Sequence, residues 1–443
     1  MPRYAAGLDL GSTSMKILVV DESGAEVVVR HVPTPWRSGP GGATDILAED
    51  VGGTVRRLIA MAAEALPEGA AVAAIAVAGM GETGFVVDGE GAALAPGYAW
   101  FDPRGAEQVA GLPDALRDEF AGRTGVPWGV QVSAAKILHL RDGGLPLAGT
   151  QWVSLPEWTV AFLGGRRAGE YSLASRTGLL DQSTGRPWPE LLAYLGVEED
   201  FLPELVDAGA PLGAATADWL PPSFRGAMLT VAGHDHLVAA VSGGAERGAY
   251  HVSIGTAEVL LRVLDDPLTF DARRRLGDAL INCVRHVRPG QYVLVAGVKT
   301  GLLMRRTLQL LGISDRSGRD ALDAQVVDLG ETRLAPGAIE VRGARNDDGV
   351  LRLTVRADGV SPAELFLAAL EHGNDEIRLL TEAIDREVAP AHASLLTGGW
   401  AEMRSVRDAR ARVLPSVRTS SRSQETASGA ALFARRLLDA ARV

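Results

Sequence analysis

The sequence is short of several things, and each shortage excludes something. Its 443 residues hold a single cysteine, Cys283. That excludes an intramolecular disulfide and any metal site built on several thiolates. Of the 44 basic residues only three are lysine: Lys16, Lys136 and Lys299. A GC-rich genome that favours arginine codons is the plain explanation. Even so, a compact ammonium and a planar guanidinium are not interchangeable in a tight site, and two of the three lysines fall in segments assigned to ATP below. No apolar run approaches the roughly 18 residues that a membrane-crossing helix needs. The N-terminus has no basic region followed by a long apolar stretch, so no signal peptide is expected. Positive charge is also lacking. The net charge of −11 disfavours nucleic-acid binding, which needs a basic face. These absences together give the expectation of a cytoplasmic protein with no nucleic-acid and no membrane partner. They do not speak against a nucleotide substrate, because a phosphate needs only local backbone donors and a metal.

The hydrophobic fraction of 47% and charged fraction of 22% are those of a soluble globular chain. The length exceeds one ordinary core, so two domains are expected. Ala5 to Leu10 reads as a strand, Gly11-Ser12-Thr13-Ser14 as a turn, Met15 to Val20 as a second strand and Glu26 to Val32 as a third. Leu47, Val51, Val55, Leu58 and Ile59 recur at helical spacing, predicting a helix from Asp45 to Leu66. Ala71 to Ala78 reads as a buried strand. The second half opens in the same way, with a strand at Gly248 to Ile254, a turn at Gly255-Thr256 and a strand at Ala257 to Val263. This weak duplication suggests two similar domains facing each other. Further on come a strand at Tyr292 to Ala296, helices at Thr300 to Leu311 and Pro362 to Ile384, a strand at His392 to Leu396 and a last helix at Thr426 to Ala441. Ser361-Pro362-Ala363-Glu364 has capping-box spacing with proline at the first helical position.

Seven segments could carry chemistry. In Asp9-Leu10-Gly11-Ser12-Thr13-Ser14-Met15-Lys16 a glycine at a hairpin tip lets backbone N–H groups approach a phosphate, and Lys16 adds a donor. Asp9, just before, could hold Mg²⁺ through water. An ordinary polar hairpin is the competing reading. Ser253-Ile254-Gly255-Thr256 is the matching tip, and paired with the first it suggests two hairpins clamping the β- and γ-phosphates of ATP. Gly233-His234-Asp235-His236 sits between the strand-like Met228 to Ala232 and the helical-looking Leu237 to Val241. A carboxylate there can take a proton from an alcohol attacking phosphorus. A His-Asp-His metal site and a simple helix N-cap are the alternatives. Thr397-Gly398-Gly399-Trp400 and Gly297-Val298-Lys299-Thr300-Gly301 suit close approach of nucleotide, or are plain strand-to-helix turns. Gly79-Met80-Gly81-Glu82-Thr83 and Trp100-Phe101-Asp102-Pro103-Arg104 offer the carboxylates and aromatic face that bind polyols. Trp100 competes with a core reading.

In order along nearly the whole chain, this set resembles the FGGY carbohydrate kinases of the actin-like, ribonuclease H-like ATPase superfamily. Gly7 to Lys16 resembles the first phosphate motif, Met80 to Asp88 the substrate loop, and Trp100 to Arg104 the Trp-x-Asp-x-Arg segment. Glu170 to Asp181, with Ser175-Arg176-Thr177-Gly178, resembles the Ala-Ser-x-Thr stretch. Gly233 to Asp235, Ser253 to Thr256, Ala296-Gly297 and Thr397 to Gly399 follow. The resemblance implies an α/β fold of two actin-like domains with a catalytic cleft between them. Residues 1–240 would carry the sugar or polyol and the first phosphate motif, and residues 241–443 the nucleotide. Its implied activity is ATP-dependent phosphorylation of a ketose or polyol hydroxyl, with ATP and Mg²⁺ as cofactors. Asp235 would be the general base, and Asp9 with Asp235 would lie at the metal. Gly11, Ser12, Thr13, Ser14, Lys16, Gly255, Thr256, Gly297, Gly301, Gly398 and Gly399 would bind ATP. Met80, Gly81, Glu82, Trp100, Asp102, Asp235 and His236 would line the substrate site.

The chain departs from the family pattern at the substrate. The loop reads Gln-Met-His-Gly in pentulose kinases and Gln-Arg-Glu-Thr in glycerol kinases. Here Glu82-Thr83 follows the glycerol type, but Gly81 stands where that type has arginine. His236 stands where glutamine is usual. A Gly-Glu-Arg-x-Pro stretch is reduced to Gly343-Ala344-Arg345. A catalytically silent sugar-binding regulator on the same fold is the alternative, and an ATPase acting on protein is a third reading. Which sugar and which hydroxyl stay open, as does oligomeric state, with a homodimer as one option.

Overall fold

The first strand, β1 (Arg3–Leu10), is buried at every residue after its opening arginine. A strand buried on both faces must be covered on both, and its near-continuous apolar run reflects that. The computed structural model describes residues 3–244, 246–330, 337–344, 352–420 and 425–440. β1 turns through the 11–13 tip into β2 (Ser14–Val20), which pairs antiparallel with β3 (Glu26–Pro33). Helix α1 (Ala48–Ala65) covers one face. β4 (Ala71–Gly79) then lies parallel to β1, and β5 (Met228–His234) parallel to β4, giving a sheet of order β5-β4-β1-β2-β3.

Between β4 and β5 lie α2 (Leu155–Phe162) and the short α3 (Tyr171–Ala174), and α4 (Asp235–Gly243) follows β5 directly. The second sheet repeats the first. β6 (Ala249–Ile254) turns back as β7 (Glu258–Leu264), and β8 (Asn282–Arg285) pairs with β9 (Tyr292–Val298), which pairs with β7. β10 (Ala393–Thr397) and β11 (Val417–Thr419) add parallel on the other side of β6. The order is β8-β9-β7-β6-β10-β11. The helices after β9 include α5 (Thr300–Leu310), α6 (Pro362–Asp385), α7 (Arg404–Ala411) and α8 (Glu425–Ala440). The duplication expected from the two Gly-turn hairpins is therefore a duplication of sheet topology. Each half is a set of antiparallel strands, three in the first and four in the second, extended by two parallel strands.

The expected elements appear within a few residues of their sequence-derived bounds, with one informative difference. The helix expected from Asp45 starts at Ala48, because Thr44–Ile46 is instead a strand paired with Arg37–Ser38 and Gly97–Tyr98. The capping box at Ser361 and Glu364 is formed, with both reciprocal bonds present. Ala441, the expected end of the last helix, and Arg345 lie outside the described residues.

Helix α8 returns to the first sheet, where it packs on β1, β4 and β5 and against α4. The approach is backbone to backbone. A Cβ at Gly7 would lie 2.2 Å from the Ala427 carbonyl oxygen and 2.5 Å from the Ala431 nitrogen. Glycine at this β1 position is what lets α8 sit flat on the strand, and neither neighbour is a side chain that could swing away. Gly7→Val is expected to destabilise the protein by about 1–3 kcal/mol or more through overpacking. Urea unfolding monitored by circular dichroism checks this, and an unchanged midpoint would show that α8 can retreat.

Candidate active site

Because β4 lies in parallel register between β1 and β5, pairing Leu10 with Gly79 and Gly79 with His234, the ends of β1 and β5 come to the same edge. Asp9 and Asp235 therefore face one cleft, of about 810 Å³. Its first wall is Asp9, Gly11, Ser12, Thr13, Ser14 and Lys16. Asp235, His236 and Ala239 form its floor. From the second half come Ser253, Gly398, Gly399, Thr419 and Ser420, and Thr426 closes the edge. Both sheets thus present the carboxyl ends of their strands to the same space.

The first hairpin tip is built to leave its amides for a ligand. Thr34 Oγ1 donates to the Gly11 carbonyl (2.6 Å), Trp36 Nε1 to the Ser12 carbonyl (2.6 Å) and the Thr34 amide to the Thr13 carbonyl (3.2 Å). The N–H groups of Ser12 and Thr13 donate to no other described residue. Carbonyls that would repel a phosphate are engaged elsewhere, while donors stay available. Lys16 Nζ lies 4.0 Å from Asp9 Oδ2. Burial first, and the Asp235 charge next, push the Asp9 carboxyl up to about 7 against the pull of Lys16.

Asp235 is the first residue of α4, and His234 holds the N-cap position. Its Oδ1 accepts from the His236 amide at 2.6 Å and lies 3.3 Å from His234 Nδ1. Burial would raise this carboxyl, but His236 and His234 outweigh it, with the His236 N–H and Arg176 adding to them, and hold it below the ordinary carboxylate range. Two neighbouring carboxyls at one edge thus differ in sign of shift, which is how acid and base roles are usually separated. Burial pushes the His234 imidazole down to about 4.

The turn into Asp235 rests on two buried carboxyls. Glu170 caps α3, accepting from the Ser172 and Leu173 amides, and Ser172 Oγ in turn accepts from the His234 amide at 3.0 Å. Glu157 accepts from the Ser154 and Glu170 amides, both at 2.7 Å. Burial pushes each carboxyl up to about 7.

The other residues singled out in the sequence sit as follows. Glu82 bonds to Arg176, with His234 Nε2 at 4.0 Å. Burial would raise its carboxyl, but Arg176 and then His234 outweigh it and hold it low. Met80 is buried, and its amide donates to the Leu10 carbonyl. Gly81 packs against Arg176 and His234. Asp102 is fully buried, and its oxygens accept from the Thr44 and Arg104 amides and the Arg104 guanidinium, so its carboxylate anchors the 97–104 segment. Trp100 is 37% exposed, edge-on to Phe101. It is not a core residue.

In the second half Gly255 and Thr256 form the hairpin tip, with Ser253 of that segment lining the cleft. Gly301 lies beneath the tip, where a Cβ would fall 1.7 Å from the Gly255 carbonyl oxygen. Gly297 is exposed on β9. The tip is braced from inside by Glu258, which pairs with Ile254 across the hairpin. Arg410 donates Nε and Nη2 to the two Glu258 oxygens at 2.7 and 2.8 Å, and Thr300 Oγ1 donates to the same carboxylate. Both charges are completely buried.

Reasoning from the sequence missed Glu157 and Ser420, and it singled out the Glu170 to Asp181 segment without giving Glu170 or Arg176 a role. Ser420 follows β11 as Asp235 follows β5, so the internal duplication held the signal for it.

Comparison with known proteins gives a consistent picture. Residues 4–242 match the N-terminal domain of the FGGY family of carbohydrate kinases. A glycerol kinase of Xanthobacter autotrophicus is 30% identical over 84% of this chain and 76% of its own length. A glycerol kinase of Thermococcus gammatolerans is 28% identical over 59% of this chain, and that match spans only 54% of its own length. Among solved structures, a ligand-bound xylulose kinase from Lactobacillus acidophilus superposes with a TM-score of 0.85 at 17% identity, covering 99% of this chain and 90% of that one. The fold is thus the two-domain, actin-like fold of the sugar kinases.

Glu157 offers a pH test of the support beneath Asp235. Its carboxyl stands at about 7 when folded against an ordinary 4.5. The folded state therefore holds the extra proton between those values, and this stabilising contribution is present below 4.5 and lost as pH rises through 7. Glu157→Gln removes the titration. Its stability relative to wild type should therefore rise by on the order of 1–3 kcal/mol between pH 5 and pH 8. Denaturant unfolding of both proteins at the two pH values measures it, and a constant difference would refute the buried-proton account.

Proposed function

Since the chain belongs to the FGGY family of carbohydrate kinases, we propose that it transfers the γ-phosphate of ATP to a hydroxyl of a small sugar or polyol, with Asp235 as the base. The observation that carries this reading is the position of Asp235, at the start of α4 on the floor of a cleft. Its carboxyl is held low by two histidines, and hairpin amides free to bind phosphate line the same cleft. A carboxylate so placed takes the hydroxyl proton as the alcohol oxygen attacks the γ-phosphorus. The new P–O bond forms as the bond to the β–γ bridging oxygen breaks. ADP leaves, and the proton passes from Asp235 to solvent. The Ser12 and Thr13 amides and Lys16 stabilise the charge on the transferring group. Gly398 and Gly399 from the opposite wall give the nucleotide close access to backbone.

Mg²⁺ is the metal the family implies, and the residues present fit it. Asp9 is a buried carboxylate whose one cation within 4 Å, among the described residues, is Lys16. No group of three or more potential ligands occurs among the described residues. That suits a cation that takes one or two carboxylates and completes its shell with phosphate oxygens and water. Asp9 and Asp235 would hold it, and it would neutralise phosphate charge. In this reading residues 1–240 carry the acceptor and residues 241–443 the nucleotide, and closure of the two over both ligands keeps water from competing with the alcohol.

An ADP-release screen over C3 to C7 ketoses, polyols and sugar acids with Mg-ATP tests the activity. Nucleotide binding without turnover on any of them would point to a silent regulator. Asp235→Ala should lower turnover by about 10²–10⁴-fold, the usual range for loss of a general base. Its affinity for ATP in calorimetry without Mg²⁺ should stay close to wild type. Near-normal turnover would remove Asp235 from the role.

A further inference from the structure

Resting on the kinase reading above, in which Trp100 and Glu82 face the acceptor, we propose that Lys136 is a positioning residue of the acceptor site. Its ammonium holds the 100–104 segment, and with it the face of Trp100, in fixed relation to the loop that carries Glu82. Lys136 is one of only three lysines among 44 basic residues, and the one that no phosphate or nucleotide segment accounts for. It lies in the first turn of the helix Ser133–Asp142 and is 2% exposed. Its Nζ donates to the carbonyls of Asp102 and Arg104, the second at 2.6 Å.

The turn that carries Lys136 gathers three stretches of the first half. Ser133 Oγ donates to the Glu82 carbonyl, and the Ala134 amide donates to the Thr177 carbonyl, both at 2.9 Å. Lys136 adds the third stretch. Neither the Asp102 nor the Arg104 carbonyl accepts from any other described residue. The same segment is also anchored through its side chains. Asp102 accepts from the Thr44 amide at 2.6 Å and from Arg104, and Arg104 also pairs with Asp45. The segment is thus held on the Thr44–Ile46 strand and on the helix at once, and Lys136 supplies the helix side. Burial pulls the Lys136 ammonium down to about 8, against the Asp102 carboxylate. A buried ammonium bonded to neutral carbonyls adds little net stability. Its effect is to fix where those carbonyls stand, and so where Trp100 stands relative to Glu82.

Arginine does not fit this place. Gly105, at a φ of 98°, sits so close to the helix that a Cβ there would lie 2.9 Å from the Ala135 carbonyl oxygen. Segment and helix are therefore in backbone contact beside Lys136. A guanidinium is larger than an ammonium and its donors are fixed in one plane, whereas the compact ammonium turns its donors to both carbonyls. In a chain that uses arginine almost throughout, one of the few exceptions falls where arginine cannot be accommodated.

The test compares wild type, Lys136→Met and Lys136→Arg in two measurements. The first is initial rates with the best acceptor of the screen. Both variants should raise the acceptor KM by about tenfold, with kcat and the KM for Mg-ATP nearly unchanged, the pattern of lost ground-state binding. Lys136→Arg keeps the charge and should still not restore the wild-type KM. A role in stability alone would lower the urea midpoint and the active fraction while leaving the acceptor KM as it is. A wild-type acceptor KM in either variant therefore overturns the inference. The second measurement is acrylamide quenching of Trp100, read as the difference between each protein and its Trp100→Phe counterpart. Quenching should rise in both Lys136 variants, and unchanged quenching overturns the inference as well. If Lys136→Met does not fold, Lys136→Arg carries both measurements. If neither folds, Lys136 is a core residue and the inference falls. If wild type phosphorylates no acceptor, the kinase reading itself fails, and quenching, which needs no turnover, still decides whether Lys136 holds the segment.

Discussion

The arrangement of the whole molecule turns on bringing two carboxylates to one edge of a sheet. β4 runs parallel between β1 and β5 in fixed register, so the residues that end the two outer strands cannot avoid each other. Asp9 shows the consequence directly, since burial and the Asp235 charge hold its proton to about 7. Asp235 escapes the same fate because it is flanked by histidines and receives the His236 amide. Repulsion of this kind is tolerable only where the backbone cannot relax away from it and where a cation or phosphate-bound metal can later offset it. The edge is therefore preloaded toward a positively charged ligand.

Holding that edge in place demands rigidity from behind, and the two halves supply it by different means. In the first half, α8 lies directly on the β1 backbone at Gly7, while Glu157, Glu170 and Ser172 form a chain of hydrogen bonds reaching the His234 amide. In the second half, the fully buried Arg410–Glu258 pair braces the hairpin, with Asn374 accepting from Arg410 Nη1. A buried ion pair adds little net stability over an apolar equivalent, but losing one partner strands a charge. Such a pair fixes geometry more than it adds stability, and the element it fixes is the β6–β7 tip, across the cleft from the β1–β2 hairpin. Because α8 packs on the first sheet while the strands before it belong to the second, the C-terminal helix also ties the halves together.

Much of this was legible in the sequence, and the reason is local. Alternating and continuous apolar runs broken by Gly-Ser or Gly-Thr mark both hairpins, and a strand ending in Gly-His-Asp-His before a small apolar helix marks Asp235. What was hidden depends on tertiary contacts. Asp102 reads as a substrate carboxylate by composition, yet its oxygens are taken by Arg104 and the Thr44 amide in a fully buried setting. Glu157 and Glu170 look like surface residues, because glutamate is rarely buried without a partner, and their partners are backbone amides that no side-chain pattern reveals. The helix predicted from Asp45 starts later because strand pairing at Thr44–Ile46 overrides the helical spacing around it.

The loop from Met80 to Thr83 shows the same principle. Read alone, Gly81 is a missing arginine, and a missing arginine implies a lost or altered acceptor site. In three dimensions, a small residue at 81 and a long one at 176 are two halves of one solution, because each occupies space the other cannot. The loop contributes Glu82, whose carbonyl is fixed by Ser133 Oγ at 2.9 Å, and the turn after α3 contributes the charge. That same turn belongs to the segment whose Glu170 and Ser172 support the His234 amide. The cation that faces Glu82 and the strand end that presents Asp235 are thus held by one short piece of chain. A shift in that piece would move Arg176, Glu82 and the end of β5 together. Substitutions that preserve the loop but disturb residues 170–177 should therefore be read as changes to the active site, not as changes to its surroundings.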